Sequence, residues 1–231
     1  MMKELTFKLI NKLILACGIL VMIISCSFNS IENSEPVPAG FHVRFKFNLT
    51  TSGNVKLPAH FSDTLARVNY LLNKIYSSQE FKDSLYAHTF NDSSYSKVKN
   101  PCFKKLINNE TQRIDGSVVY DNLVADTLIN LDLLVQETLK KTGTQGFSNA
   151  CKYKITSNDY WMGGDQALTY RYVRHIAHEF THIRGYRHDN RVEKPYKWGK
   201  KPTEDPAYGV GLIVGHILER WSKEGIENIR L

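Results

Sequence analysis

Half of the chain's eight histidines fall between residues 175 and 188, and three of them have the spacing of metal ligands. His178 and His182 are four residues apart, so on a helix both imidazoles lie on one face and can share one small cation. Glu179 sits beside the first of them, where its carboxylate can reach a water on that cation without ligating it. Gly185 permits a sharp turn out of the helix, after which His188 can swing back as a third nitrogen. Three neutral imidazoles with one open position describe a catalytic site for one Zn2+ ion rather than a closed structural site. The remaining histidines are expected to be plain: His175 on the helix surface, His216 on the last helix, and His42, His60 and His88 without a role.

The elements that must position this group can be read from periodicity. Val43, Phe45, Phe47 and Leu49 alternate with Arg44, Lys46 and Asn48, the pattern of a half-buried strand. Ser62 and Asp63 can cap a helix bearing Leu65, Val68, Leu72 and Ile75, and Ser77 with Glu80 has capping-box spacing before a shorter one. Residues 91–117 read as polar and irregular, and a weak helical turn follows from Val118. Ile129, Leu131 and Leu133 mark a second strand; Cys151, Tyr153 and Ile155 mark a third. A long helix is expected from about Gln166 to Arg184, stopped by Gly185. A lysine-bearing loop (Lys194, Lys197, Lys200, Lys201), expected as solvated surface, precedes a final helix carrying Val210, Ile213, Val214, Ile217, Leu218 and Trp221. The resulting fold class is α+β: a single domain over residues 41–231, with a mixed sheet, a long active-site helix and a C-terminal helix.

The N-terminus points to export. Lys3, Lys8 and Lys12 precede an apolar run from Leu13 to Ile24, shorter than a comfortable membrane span. The run ends in Ile23-Ile24-Ser25-Cys26, which resembles a bacterial lipobox. That resemblance implies a signal peptide over residues 1–25, diacylation of Cys26 and a lipid-anchored protein of the cell envelope, at the outer membrane or cell surface. The alternative is an ordinary secretory signal or an uncleaved anchor. Residues 26–40 are rich in Ser, Asn and Pro and read as a flexible tether. Cys17 leaves with the signal, so Cys102 and Cys151 remain as an even pair, expected to form one disulfide in an oxidising compartment. Net charge falls from +7 to +5 without the signal, a modest excess with no aromatic-basic module, which argues against nucleic acid as a partner.

His178-Glu179-Phe180-Thr181-His182-Ile183-Arg184-Gly185-Tyr186-Arg187-His188 resembles the zinc signature of the metzincin metalloproteases, and Asp189 resembles its adamalysin-like version. The strong match covers about a dozen residues. It implies a zinc-dependent endopeptidase with His178, His182 and His188 as ligands and Glu179 as catalytic base, acting on proteins or peptides, as a monomer. The chain departs from that pattern in one respect. Metzincins carry a methionine in a turn after the third histidine, and the last methionine here is Met162, ahead of the motif. The corresponding region is expected at residues 204–211, where Tyr208 could floor the site, offer a phenol to the transition state, or simply pack. Analogy also suggests that an edge strand, expected near residues 151–156, receives an extended substrate. The competing function is a catalytically silent, metzincin-like binding lipoprotein.

Overall fold

Alternation of exposed and buried side chains over residues 44–49 creates the first long strand. In β2 (Arg44–Ser52) Phe45, Phe47 and Leu49 are buried while Arg44, Lys46 and Asn48 are exposed. β5 (Leu128–Gln136) repeats the pattern with Ile129, Leu131, Leu133 and Val135 inside. In the computed structural model, which describes residues 31–32, 40–91, 113–138, 144–163, 167–188 and 205–231, these strands pair in parallel, Phe45 opposite Ile129 and Leu49 opposite Leu133. β7 (Lys152–Asn158) adds to β5 in parallel, and β6 (Gly146–Asn149) returns antiparallel to β7. A two-residue strand, β1 (Ile31–Glu32), pairs antiparallel with β2, inside the stretch expected as a tether. The mixed sheet runs β1-β2-β5-β7-β6.

Parallel neighbours need long crossovers, and the chain between β2 and β5 supplies one. It contains α1 (Phe61–Tyr76), α2 (Gln79–Tyr86), the small hairpin β3 (Thr89–Asn91) and β4 (Arg113–Asp115), and α3 (Gly116–Leu123). α4 (Leu168–Ile183) follows β7, and α5 (Pro206–Lys223) comes last. The apolar face of the sheet is covered by α1 and α4. Phe45 on β2 meets Tyr76 of α1 and Phe180 of α4 edge-on, with ring centroids 5.0 and 5.2 Å apart. Full burial of one such ring is worth about 1.5–3 kcal/mol. Asn73, buried on α1, accepts the Phe45 N–H at 2.6 Å, and the Ser77 hydroxyl accepts the Val43 N–H at 3.1 Å. These side chains pair amides at the start of β2, which lie beyond the reach of β1. The opposite face carries cross-strand polar pairs such as Asn48 with Asp132, 3.1 Å apart.

The structure is thus α+β with a mixed sheet and, among the described residues, five α-helices. It shifts several local expectations. α1 begins at Phe61 behind His60, whose backbone is left-handed (φ 61°), so neither Ser62 nor Asp63 is the cap. The cap of α2 is Ser78, one residue later than expected, accepting the Phe81 N–H at 3.1 Å. The strand near residues 151–156 is not an edge. β7 lies between β5 and β6, and the edge is the four-residue β6. Cys151 is disulfide-bonded; Cys102, Cys26, the signal segment and the lysine loop lie outside the described residues. No helix of the described residues is long and apolar enough to cross a membrane.

Candidate metal centre

α4 is held at both its middle and its end. Phe180 packs on β2 as above, and Arg184, buried just past the last turn, donates to Asp126 Oδ2 at 2.9 Å and to the Tyr153 hydroxyl at 3.0 Å. A cation at this end also suits the helix dipole. The Cys151 N–H, in the turn between β6 and β7, donates to the Ile183 carbonyl at 2.9 Å. Gly185 then takes φ 97°, a region costly for any side chain, and the Tyr186 N–H closes back on the Thr181 carbonyl. This turn sends the chain back toward the helix face that carries His178 and His182.

The three expected ligands converge. One ligand nitrogen from each of His178, His182 and His188 lies within 4.8 Å of the others, and this is the group of three among the described residues that could hold a metal. Their hydrogen bonds settle which nitrogens face inward. His182 Nδ1 lies 2.6 Å from the Tyr186 carbonyl oxygen, which can only accept, so Nδ1 carries the proton and Nε2 the lone pair. His188 Nδ1 lies 3.1 Å from Oδ2 of Asp205, with the same consequence. The two Nε2 atoms are 3.2 Å apart. Two lone pairs aimed at one point repel, whereas two nitrogens on a tetrahedral zinc at about 2.1 Å stand roughly 3.4 Å apart. The His178 ring hydrogen-bonds the Ala207 backbone in the sense that favours a protonated ring nitrogen, so it too donates outward. Each ring therefore has a partner of the kind that orients metal-binding imidazoles.

Burial keeps the His178 and His182 rings neutral. It pushes His182 down to about 4, with the neighbouring His188 acting in the same direction, and it holds His178 well below the ordinary imidazole range. Glu179 is buried too, and that burial raises its carboxyl to about 7, against the opposing pull of the Ser148 hydroxyl and His188. Ser148, on β6, has its Oγ 2.7 Å from the Glu179 carbonyl oxygen and 2.8 Å from carboxylate Oε2. The edge strand and the acid are thereby joined. Tyr208 stacks on His188 with centroids 4.4 Å apart and lies 4.8 Å from His178, so it packs against two of the three rings.

Three residues escaped the sequence reading. Asp205 is fully buried and serves both His188 and the start of α5; its position before Pro206 signals a helix cap, but nothing local signals the histidine. Ser148 belongs to a strand too short to show alternation. His175 is the third, and here the expectation of a helix-surface residue is corrected: it is buried. Its Nε2 is 3.0 Å from the Ser157 hydroxyl, its ring contacts Trp161 and Tyr172, and its Nδ1 is 3.9 Å from Glu179 Oε1. Gly146 makes room for it, since a Cβ there would stand 2.8 Å from the ring and 2.3 Å from the Thr156 carbonyl oxygen.

A pH dependence follows for the metal-free protein. His175, pushed down to about 3, and His182 both sit below their ordinary 6.5, so the unfolded chain takes up protons that the folded chain refuses. Stability therefore falls as pH drops through about 6.5 toward those lower values. Glu179 has the opposite sign: its raised carboxyl supports the fold below about 4.5, and that support is lost as pH rises through 7. Replacing His175 by Phe is expected to make the acid limb of stability shallower by about one proton, roughly 1.4 kcal/mol per pH unit. Denaturant titrations between pH 4 and 7 measure this, and an unchanged slope would show that His175 does not refuse the proton.

No protein-family model, curated protein or solved structure matches the chain.

Proposed function

We propose that this chain is a zinc-dependent metallopeptidase of metzincin-like design. The observation that carries the reading is the pair of Nε2 atoms 3.2 Å apart, each on a ring whose other nitrogen is committed as a donor. His178, His182 and His188 would hold the ion. Three imidazole nitrogens gathered within 4.8 Å, two of them 3.2 Å apart, suit zinc, which when bound would supply a polarised carbonyl and a water whose pKa falls toward about 7.

The chain's own groups supply the rest. Glu179 is placed beside the ligand triad as the proton carrier: it takes a proton from the attacking water and returns it to the departing amine. A carboxyl held near 7 by burial suits both directions of transfer at neutral pH. Ser148 fixes that carboxylate through its hydroxyl. Along β6 the Asn158 N–H bonds the Gln145 carbonyl, so by the alternation of an antiparallel ladder Phe147 faces β7 while the main-chain groups of Gly146 and Ser148 turn outward. An extended peptide can add there as a further strand, beside the carboxylate that would serve it. Tyr208 packs on the His178 and His188 rings, and we assign it the role of supporting these ligands, the part that a methionine turn plays in metzincins.

Cleavage of a peptide library with and without a chelator tests the reading, and the binding-only alternative predicts zinc without turnover. Ser148→Ala is expected to lower kcat about 10–100-fold, the loss of one hydrogen bond to a charged group, with zinc affinity unchanged. Equal kcat in parent and variant would remove Ser148 from the account. We further propose that the protein is anchored at the envelope by lipid on Cys26. Cys26→Ala should then abolish palmitate labelling and release the protein from the membrane fraction, and continued labelling would refute the assignment.

A further inference from the structure

The N-terminal turn of α5 serves the ligand triad at three points. Asp205 uses its two carboxylate oxygens for different tasks: Oδ1 accepts the N–H groups of Ala207 and Tyr208 at 3.0 and 3.1 Å, and Oδ2 accepts from His188 Nδ1 at 3.1 Å. The backbone of Ala207 bonds His178, and the ring of Tyr208 packs on His178 and His188. The Gly209 N–H continues the turn onto the Asp205 carbonyl at 2.7 Å. One buried carboxylate thus caps a helix and fixes a ligand at once.

From this sharing we infer that Asp205 is the positioning residue of the metal centre, and that metal binding and formation of the first turn of α5 are coupled through it. The inference rests on the metal-site reading above, but not on peptidase activity. Its physical basis is donor–acceptor matching. Asp205 can only accept, which forces the proton of His188 onto Nδ1 and leaves Nε2 to bind metal. A cation on Nε2 makes the Nδ1 proton a stronger donor and tightens the bond to Oδ2. The carboxylate is then held more firmly against the Ala207 and Tyr208 amides. By reciprocity, whatever loosens the cap weakens the metal.

Asp205→Asn separates this role from a merely structural one. Asn is as good a helix cap as Asp, and its amide oxygen must stay on the cap side, where two N–H groups need it. Its NH2 then faces His188 Nδ1, which becomes an acceptor, and the proton moves to the nitrogen meant for the metal. Zinc binding by the full chain, measured by competition with a chromophoric chelator, is expected to weaken on the order of 10–100-fold or more, while the metal-free melting temperature stays unchanged. In the parent, added zinc should slow hydrogen exchange at the Ala207, Tyr208 and Gly209 amides, and in Asp205→Asn it should not at matched zinc concentration. Asp205→Ser, which keeps a cap but cannot bridge to His188, should also lose affinity. Parental zinc affinity in Asp205→Asn, or zinc-independent exchange at those amides in the parent, would overturn the inference. A parent that binds no zinc would overturn both it and the metal reading.

Discussion

Glu179→Gln is expected to retain one zinc per chain and to lose hydrolysis by about 10³-fold or more. The size comes from the chemistry removed: general acid–base catalysis commonly contributes 10²–10⁴-fold, and Gln can neither take a proton from water nor return one to an amine. Shape is nearly conserved: the Gln amide NH2 can donate to Ser148 Oγ, whose single proton then goes to the backbone carbonyl of residue 179. Removing a carboxyl that burial holds near 7 also removes a cost of ionisation at neutral pH, so the variant should be no less stable than the parent. Full activity in Glu179→Gln would exclude this residue as the base and move the proton chemistry elsewhere.

The second large effect concerns the ligands. His182→Ala takes away the ring whose Nδ1 is fixed by Tyr186 and whose Nε2 lies nearest to His188. Two nitrogens cannot replace three, so zinc should fall below stoichiometric occupancy and turnover should vanish with it. Because metal binds the folded chain alone, zinc at a thousandfold excess over Kd stabilises the parent by about 4 kcal/mol. For a domain of this size that is a rise in Tm on the order of 10 °C. His182→Ala should show almost none of that rise, and a chelator should bring the parent down to the same temperature. A zinc-dependent Tm preserved in His182→Ala would place the metal at another site.

What could be read from the chain was whatever local spacing encodes. His178 and His182 share a helix face because a helix repeats every 3.6 residues, and Gly185 ends that helix because a left-handed turn there needs no Cβ. Phe45, Phe47 and Leu49 lie inside because a strand alternates. What could not be read depends on contacts between distant segments. Asp205 reaches His188 across 17 residues and Ser148 reaches Glu179 across 31, and neither pair leaves a periodic trace. His175, three residues before His178, reads from sequence alone as helix surface, yet Trp161, Tyr172 and Ser157 enclose it. The edge strand lies one position further out than periodicity indicates, because Gly146-Phe147-Ser148-Asn149 is too short to alternate, whereas Cys151, Tyr153 and Ile155 alternate plainly. Tyr208 reads in the sequence as an aromatic near a helix start, but its stacking on His188 is set by where α5 begins against the triad.

One ion, held by His178, His182 and His188, carries the proposed chemistry. Crystals grown with zinc and measured on either side of its absorption edge locate that ion directly. A single anomalous peak about 2.1 Å from Nε2 of both His182 and His188 and from a ring nitrogen of His178, with Glu179 outside bonding distance, is the predicted result. Absence of a peak among these three rings, or a peak ligated by Glu179 in place of one of them, would contradict it.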